Sequence, residues 1–430
     1  MKLKLENIGK IEKANIELKG ITVIAGENNT GKSTVGKMLF CVFNAFYKIE
    51  EQIRVERQKT LGRVFTNYYL ERTNRLKRRF SPLKLSINIL DNQDMFINDK
   101  RKLIDVIRKF YLSADNQLVE YIDQDSLEQL AESVLKFLNI KDDEIRTVIL
   151  RKRLEAEFGM KIGYLNNLDE KSRVCLEVKY NKIEFEVIRN ESIIVSDYMS
   201  LIKEIMYIDD PFVLDNLNSV SSGYLNIFEH RGNLLSKIVN SNNAKEFSAL
   251  DEVVTKQRLD KIFIAMEDVC DGELLSTDDG NAFVYKTDSL NGDLEIVNLS
   301  TGIKSFAILR TLLQNGSIDE NGILILDEPE IHLHPEWQLK YAEIIVLIHK
   351  EFSTNILLNT HSPYFLNAIE VYSEKYGISD KCKYYLTNID SKNRAAIDDV
   401  TKQRELIYEK LARPLQDLEN LEYRNGNTIR

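Results

Sequence analysis

The stretch Ile21-Thr-Val-Ile-Ala-Gly26-Glu-Asn-Asn-Thr-Gly31-Lys32-Ser33-Thr34 constrains this chain more than any other. A short β-branched run enters a Gly-x-x-x-x-Gly-Lys-Ser loop, and a helical pattern from Val35 to Phe46 leaves it. A strand, a glycine-rich loop and a helix N-terminus in that order form a phosphate cradle, because backbone N–H groups and the helix dipole converge on an anion. The cradle comprises Gly26, Glu27, Asn28, Asn29, Thr30, Gly31, Lys32, Ser33 and Thr34. Lys32 is expected to reach the β- and γ-phosphates, and the Ser33 hydroxyl to offer Mg²⁺ an oxygen ligand.

The 430 residues, 43% apolar and 29% charged, suit one large or two modest domains, each with its own core. No apolar run has the length of a membrane span, and Met1-Lys-Leu-Lys-Leu-Glu is not signal-like, so a cytoplasmic protein with no membrane partner is expected. Cys41, Cys175, Cys270 and Cys382 are scattered without a C-x-x-C pair, which favours packed, reduced thiols. A net charge of −9 argues against a protein that simply coats nucleic acid. Locally the balance reverses. Between Glu51 and Leu90 the bases Arg54, Arg57, Lys59, Arg63, Arg72, Arg75, Lys77, Arg78, Arg79 and Lys84 meet only Glu51, Glu56 and Glu71. DNA or RNA therefore stays open as a partner of the run Arg72 to Lys84, beside the plainer reading of a solvated helix face.

Alternation around Gly9-Lys10 predicts two strands before Ile21, so the cradle sits on a β-rich lobe covering residues 1–50. Residues 51–170 read as a helical insertion, interrupted at Ser81-Pro82. Within it Ser126-Leu-Glu-Gln129 resembles a capping box, and a further helix runs from near Asp142 to Gly159. No sustained heptads announce a long coiled coil. Over 171–290 the period changes to two, with a hairpin of Val174–Tyr180 and Ile183–Val187 turning at Asn181-Lys182. Residues 291–370 hold a second block. Gly322-Ile-Leu-Ile-Leu-Asp327-Glu328-Pro329 is an apolar strand ending in two carboxylates, as a buried parallel strand delivers side chains to its C-terminal edge. Asp327 suits Mg²⁺, directly or through water, and Glu328 suits polarising an attacking water. Ile356 to Thr360 is another buried strand with His361-Ser-Pro363 at its tip, and 371–430 read as a polar, helical tail.

Four blocks now stand in one order: Gly26 to Ser33, Leu299-Ser300-Thr-Gly302-Ile-Lys304, Leu326-Asp327-Glu328-Pro329 and Thr360-His361-Ser362-Pro363. Together they resemble Walker A, signature, Walker B and switch histidine of ABC-class ATPase heads. The nearest likeness is to the RecF/SMC/OLD set, stand-alone prokaryotic ATPases of AAA_15/AAA_21 type found in phage-defence operons. Asp327-Glu-Pro-Glu-Ile-His-Leu-His334-Pro and Thr360-His-Ser-Pro363 are the hallmarks. The resemblance implies an α/β fold: a P-loop mixed sheet with a β-rich N-terminal lobe and a helical insertion. It also implies ATP and Mg²⁺, a homodimer or higher homo-oligomer in which Ser300 and Gly302 act in trans, Glu328 and His361 as catalytic residues, and Ser33 and Asp327 at the metal. Thr301, Ile303 and His334 depart from the family's usual residues, and the Q-loop is not placed.

Three functions are weighed. The first is an ATP-driven switch for a partner effector such as a nuclease, with no nuclease of its own. The second is a RecF-like DNA-binding ATPase of repair or chromosome maintenance. The third is an anticodon-nuclease-like toxin using His230-Arg231. Two plainer readings stay beside these: Leu299 to Lys304 as an N-cap turn before a helix from Ser305 to Leu313, and His332-x-His334 as a metal pair.

Overall fold

The computed structural model describes residues 1–73, 80–114, 122–159, 161–163, 171–222, 226–239, 249–277, 282–287, 289 and 292–426. It divides into two compact units, Met1–Tyr47 with Leu150–Arg430, and Lys48–Ile149. The insertion expected over 51–170 is thus shorter, and residues after 149 belong to the first unit.

The first unit carries strands β1 (Lys2–Ile8), β2 (Ile11–Glu17), β3 (Ile21–Ala25), β4 (Ser172–Val178), β5 (Asn181–Ile188), β6 (Ser192–Asp197) and β7 (Ile205–Ile208). Later in the chain come β8 (Glu273–Ser276), β9 (Phe283–Lys286), β10 (Leu294–Glu295), β11 (Ile323–Asp327), β12 (Asn355–Thr360), β13 (Cys382–Ile389) and β14 (Ala395–Asp399). Eleven of them form one mixed sheet in the order β6-β5-β4-β1-β2-β14-β13-β3-β12-β11-β7, and β10-β9-β8 form a small antiparallel sheet. The neighbours β7, β11, β12, β3 and β13 run parallel, while β2, β1, β4, β5 and β6 form an antiparallel meander. This is the α/β mixed sheet with a β-rich lobe that the sequence leads one to expect.

The parallel strands are buried on both faces, which is why they read as continuous apolar runs. On one face Ile21, Val23, Leu324, Leu326, Ile356 and Leu358 join a core completed by helices α10 (Thr301–Gln314), α11 (Pro335–Phe352) and α12 (Pro363–Lys375). Truncating one such leucine to alanine costs about 2–5 kcal/mol. On the other face Ile325 and Tyr207 meet helix α1 (Lys32–Phe46) at Gly36, where an added Cβ would lie 3.1 Å from Ile325.

The second unit is helical, with α2 (Ile49–Thr73), α3 (Pro82–Asp91), α4 (Gln93–Asn98), α5 (Lys100–Ala114), α6 (Gln124–Leu138) and the start of α7 (Asp142–Phe158). It has its own aromatic core, where the Tyr69 ring stacks on Phe80 at 4.1 Å between centroids. Helix α6 is capped by Asp123, whose side chain accepts from the Ser126 amide; Ser126 is therefore third in the helix and not the cap of a capping box. The described bases of the basic run are largely neutralised locally. Arg54 pairs with Asp91, Arg57 with Asp142 at 2.8 Å, Lys59 with Glu56 at 3.7 Å and Arg72 with Glu71 at 3.3 Å. Arg75, Lys77, Arg78 and Arg79 lie outside the described residues.

Two further expectations are corrected. Val178 pairs with Asn181, so the hairpin turns at Lys179-Tyr180, with Lys179 at φ 56°, one step earlier than Asn181-Lys182. More consequentially, the described residues of 371–430 are not a helical tail: among them the end of α12 and α13 (Glu405–Gly426) are α-helical, and β13 and β14 lie between these helices. Strand β13 pairs in parallel with the strand that feeds the cradle, Cys382 opposite Ile21 through Leu386 opposite Ala25. Its composition, Cys-Lys-Tyr-Tyr-Leu-Thr-Asn-Ile, hides a strand buried from Tyr384 to Thr387 behind polar residues. Helices α8 (His230–Val239) and α9 (Ala249–Met266) complete the unit. Among the described residues no helix is long and apolar enough to cross a membrane.

A chain ending at Tyr376 keeps all four motifs but strips β3 of one neighbour. We expect it to lose the cooperative thermal transition of the full chain in circular dichroism; a truncated chain melting at the same temperature would refute a structural role for β13.

Candidate active site

Strand β3 ends buried at Ala25, and the backbone leaves the sheet through positive φ at Gly26 (151°), Asn29 (62°) and Gly31 (91°). Gly26 is required by its neighbour across the sheet, since a Cβ there would lie 1.9 Å from the Thr387 hydroxyl oxygen. That hydroxyl donates to Thr30 Oγ1 at 2.7 Å, and Thr30 donates to the Glu27 carbonyl at 2.8 Å, so β13 braces the loop from below. Glu27, Asn28 and Asn29 form its exposed rim. Helix α1 starts at Gly31 with no side-chain cap and no acid in its first turn. Its first amides and the positive end of its dipole are thus left for an anion.

Lys32 is 3% exposed and its ammonium turns inward, donating to the Gly26 carbonyl at 3.0 Å and the Glu27 carbonyl at 2.8 Å. It also lies 3.3 Å from Glu328 Oε1. Glu328 is held at φ 52°, a left-handed conformation that costs a non-glycine residue roughly 1–2 kcal/mol. Its amide donates to the Asn359 carbonyl at 2.9 Å, and the turn aims its carboxylate back over the loop. His361 Nδ1 stands 3.4 Å from the same Glu328 oxygen. The cradle, Glu328 and His361 are therefore brought together.

Asp327 is buried beside them with both oxygens engaged: Tyr207 donates to Oδ2 at 2.8 Å and the Asn359 amide to Oδ1 at 2.9 Å. Each carboxylate oxygen keeps a second lone pair, and Ser33 is partly exposed at the mouth of α1. An uncapped helix start, an inward lysine, a hydroxyl and an oriented carboxylate fit an Mg²⁺–nucleotide.

Sequence reasoning missed Tyr207, Asn359 and Glu330. Glu330 is 3% exposed, accepts from the Thr360 hydroxyl and from the His361 amide at 3.3 Å, and ties the tip of β12 to the loop after β11. Burial raises its carboxyl pKa, with the Thr360 hydrogen bond opposing. A polar side chain inside an apolar run, such as Asn359 within Ile-Leu-Leu-Asn-Thr, was the one available signal.

Ser300 and Gly302 make their contacts elsewhere. Ser300 caps α10, accepting from the Ile303 amide at 3.3 Å. A Cβ on Gly302 would lie 2.6 Å from the Trp337 ring. The N-cap reading of this segment is realised, with the helix starting at Thr301, earlier than Ser305. Lys304 inside it pairs with Asp215 and lies 5.4 Å from the Phe212 ring.

Beneath Tyr207 sits a charge cluster. His230 is buried with Nδ1 2.8 Å from Glu157 Oε1 and Nε2 3.0 Å from Asp209 Oδ2, and Arg231 binds Asp209 at 2.8 Å. Burial alone would lower the His230 pKa, but hydrogen bonds and charge from Asp209 and Glu157 outweigh it and raise it to about 9. Burial likewise pushes Asp209 up, and His230 and Arg231 overcome this to hold it at about 2. With both ring nitrogens against carboxylates, His230 has no free nitrogen for the acid–base chemistry of an RNA-cutting site.

The sequence profile of the AAA_15 family, an AAA ATPase domain, matches residues 1–366. The chain belongs to this family. Membership of an ATPase family supports ATP binding and ATPase activity. It is 27% identical over 181 residues to the retron Vc95 probable ATPase of Vibrio cholerae serotype O1 biovar El Tor, covering 40% of this chain and 32% of that one. To the Septu protein PtuA of Bacillus thuringiensis it is 25% identical over 189 residues, covering 40% and 44%. To the retron Ec83 probable ATPase of Escherichia coli it is 34% identical over 94 residues, covering 19% and 17%. The chain thus spans less than half the length of these curated relatives. Among solved structures, the SMC head domain from Thermotoga maritima gives a TM-score of 0.38 at 11% identity, over 93% of this chain and 98% of that one. An SMC head bound to the C-terminal winged-helix domain of ScpA gives 0.43 at 9%, over 94% and 98%, a similarly loose likeness.

The raised His230 pKa carries a sign. Its stabilisation is complete below about 6.5 and is lost as pH climbs through about 9, whereas that of Asp209 is present above 3.8 and lost toward 2. The urea midpoint of the wild type should therefore fall between pH 6.5 and 9, and His230→Gln should abolish that slope. Parallel pH profiles for the two proteins would show the pair to be unimportant.

Proposed function

We propose that this ATPase is a nucleotide-driven switch: two copies dimerise on ATP, hydrolysis separates them, and the cycle regulates a partner effector in anti-phage defence. The observation that carries the chemistry is the convergence of Lys32, Glu328 and His361 at the C-terminal ends of β3, β11 and β12. Glu328 orients and deprotonates the attacking water, and His361 steadies the γ-phosphate. Ser33 and Asp327 would hold Mg²⁺, which neutralises phosphate charge when bound. The Lys32–Glu328 pair adds a control. While Lys32 is directed at Glu328 and the loop carbonyls, the base is restrained; an arriving phosphate competes for the ammonium and releases the carboxylate.

Dimerisation is supported by what the monomer leaves incomplete. Ser300 and Gly302 make their contacts away from Lys32, as a site completed in trans requires. The segments that follow β7, β11 and β12 expose Phe212 (45%), Ile331 (52%) and Tyr364 (46%). Large apolar side chains around a nucleotide site suit a surface that is covered during the cycle. The defence setting rests on the family resemblance and on relatives that are retron and Septu proteins. A nuclease is the kind of effector this switch would govern. The RecF-like reading gains no support from Arg54, Arg57, Lys59 and Arg72, which pair with nearby carboxylates.

Glu328→Gln should keep nucleotide affinity, lower kcat at least about 10²-fold, and accumulate as a species of twice the monomer mass in light scattering with Mg-ATP. A mass that ignores ATP in both wild type and variant would overturn nucleotide-driven dimerisation.

A further inference from the structure

We propose that Tyr207 is a positioning residue that orients the Asp327 carboxylate for Mg²⁺, and that His230 in turn fixes the Tyr207 ring. The inference rests on the ATPase reading and assigns work to a part of the fold that the four motifs do not include.

Strand register builds the arrangement. Asp327 lies opposite Asn359 in the β11–β12 ladder, and Ile325 lies opposite Tyr207 in the β11–β7 ladder. Period-two alternation sends Leu324 and Leu326 to the α10–α12 core, so Ile325 and Asp327 take the other face, with Tyr207 and Asn359. Tyr207 thus approaches Asp327 from one neighbouring strand and Asn359 from the other. A carboxylate gripped at each oxygen by a donor on a different strand has little freedom to rotate. The oxygens it offers outward are then set before a cation arrives, which is how outer-shell donors tune a metal ligand.

The tyrosine is itself prevented from moving. Above it, α1 presents Gly36, and a Cβ at that position would lie 3.3 Å from the Tyr207 hydroxyl oxygen. The glycine leaves the phenol room to reach Asp327. Below it, the His230 ring stacks at 4.4 Å between centroids and 26° between planes, and Phe40 closes the edge, 6.3 Å from Tyr207 and 6.2 Å from His230. The imidazole cannot swing, because Glu157 at the end of α7 and Asp209 just after β7 hold its two nitrogens. Glu157 also accepts from the His230 backbone amide, fixing the first residue of α8, and lies 4.0 Å from Lys37 of α1. The side chains of α1 and α8 therefore meet at the Tyr207 ring, α7 and the β7 exit fix the imidazole stacked on it, and the phenol hydroxyl donates to the Walker B aspartate. The phenol O–H meets the carboxylate as the donor, at 2.8 Å from Asp327 Oδ2.

The test separates metal use from nucleotide use. Binding of a fluorescent ATP analogue is measured first in EDTA and then along a MgCl₂ titration, for wild type, Tyr207→Phe, His230→Gln and the double variant. Tyr207→Phe keeps the ring and loses only the hydroxyl. It should match wild type in EDTA yet need about tenfold or more Mg²⁺ for the half-maximal Mg²⁺-dependent signal. His230→Gln should move the same way, and the double variant should be no worse than Tyr207→Phe, because both changes act through one hydroxyl. Because His230→Gln strands two carboxylates, its thermal melt is read alongside, and Tyr207→Phe carries the decision. A Tyr207→Phe titration that overlays wild type overturns the proposal. Additive shifts in the double variant overturn the His230 part. A wild type that binds no nucleotide overturns the ATPase reading itself, an outcome distinct from either.

Discussion

The parallel ladder that sets Ala25 opposite Thr360 and Asn359 opposite Asp327 is the constraint on which everything else depends. Parallel neighbours end at the same edge, so β3 near the start of the chain and β11 and β12 in its last third deliver their loops to one place. Lys32, Glu328 and His361 need no recognition of one another to converge; they follow from strands that are apolar on both faces and can be buried only side by side. The long excursions between them are tolerable because loop-closure entropy grows only logarithmically with length. An insertion such as Lys48–Ile149, with its own aromatic core, adds little to that cost because it folds on its own contacts.

Convergence alone would leave a lysine and several backbone donors competing for whatever is near. The loop avoids collapse by satisfying itself: Lys32 occupies the Gly26 and Glu27 carbonyls, Thr30 donates to the Glu27 carbonyl as well, and Thr387 supports the turn from the neighbouring strand. What stays unclaimed by any side-chain cap is the start of α1. A buried cation that can exchange carbonyl partners for phosphate oxygens binds an anion with little rearrangement, and preorganisation of this kind is where an electrostatic site gains most over water.

How much of this the sequence discloses depends on which force shapes each element. Strands β3, β11 and β12 are legible because burial on both faces demands Ile, Val and Leu. Helix α1 is legible because its glycine-rich start is a geometric requirement. Strand β13 is equally central yet illegible: its Tyr384, Tyr385 and Thr387 are buried, with the Tyr385 hydroxyl accepting from the Glu17 amide at 2.8 Å and the Thr387 hydroxyl donating to Thr30. Composition counts such residues as polar, although the fold uses them as core. Tyr207, Asn359 and Glu330 were missed for a related reason, since their roles exist only through strands adjacent in space. The capping-box reading of Ser126 failed more locally, because Asp123 three residues earlier was an equally good cap and took the position.

The signature segment shows why a motif and its role must be argued separately. Ser300 caps α10 and Gly302 admits the Trp337 ring, so both residues have complete intramolecular reasons to be what they are. A Cβ at position 302 would displace Trp337, which packs edge-on against Phe306 at 5.9 Å. Loss of function on changing Gly302 therefore says nothing by itself about a second copy. Ser300 is more informative, because Asn and Asp cap a helix as well as Ser. A change to either preserves α10 while altering the chemistry presented outward, so its effect separates the proposed role of Ser300 toward a second copy from the stability of the first.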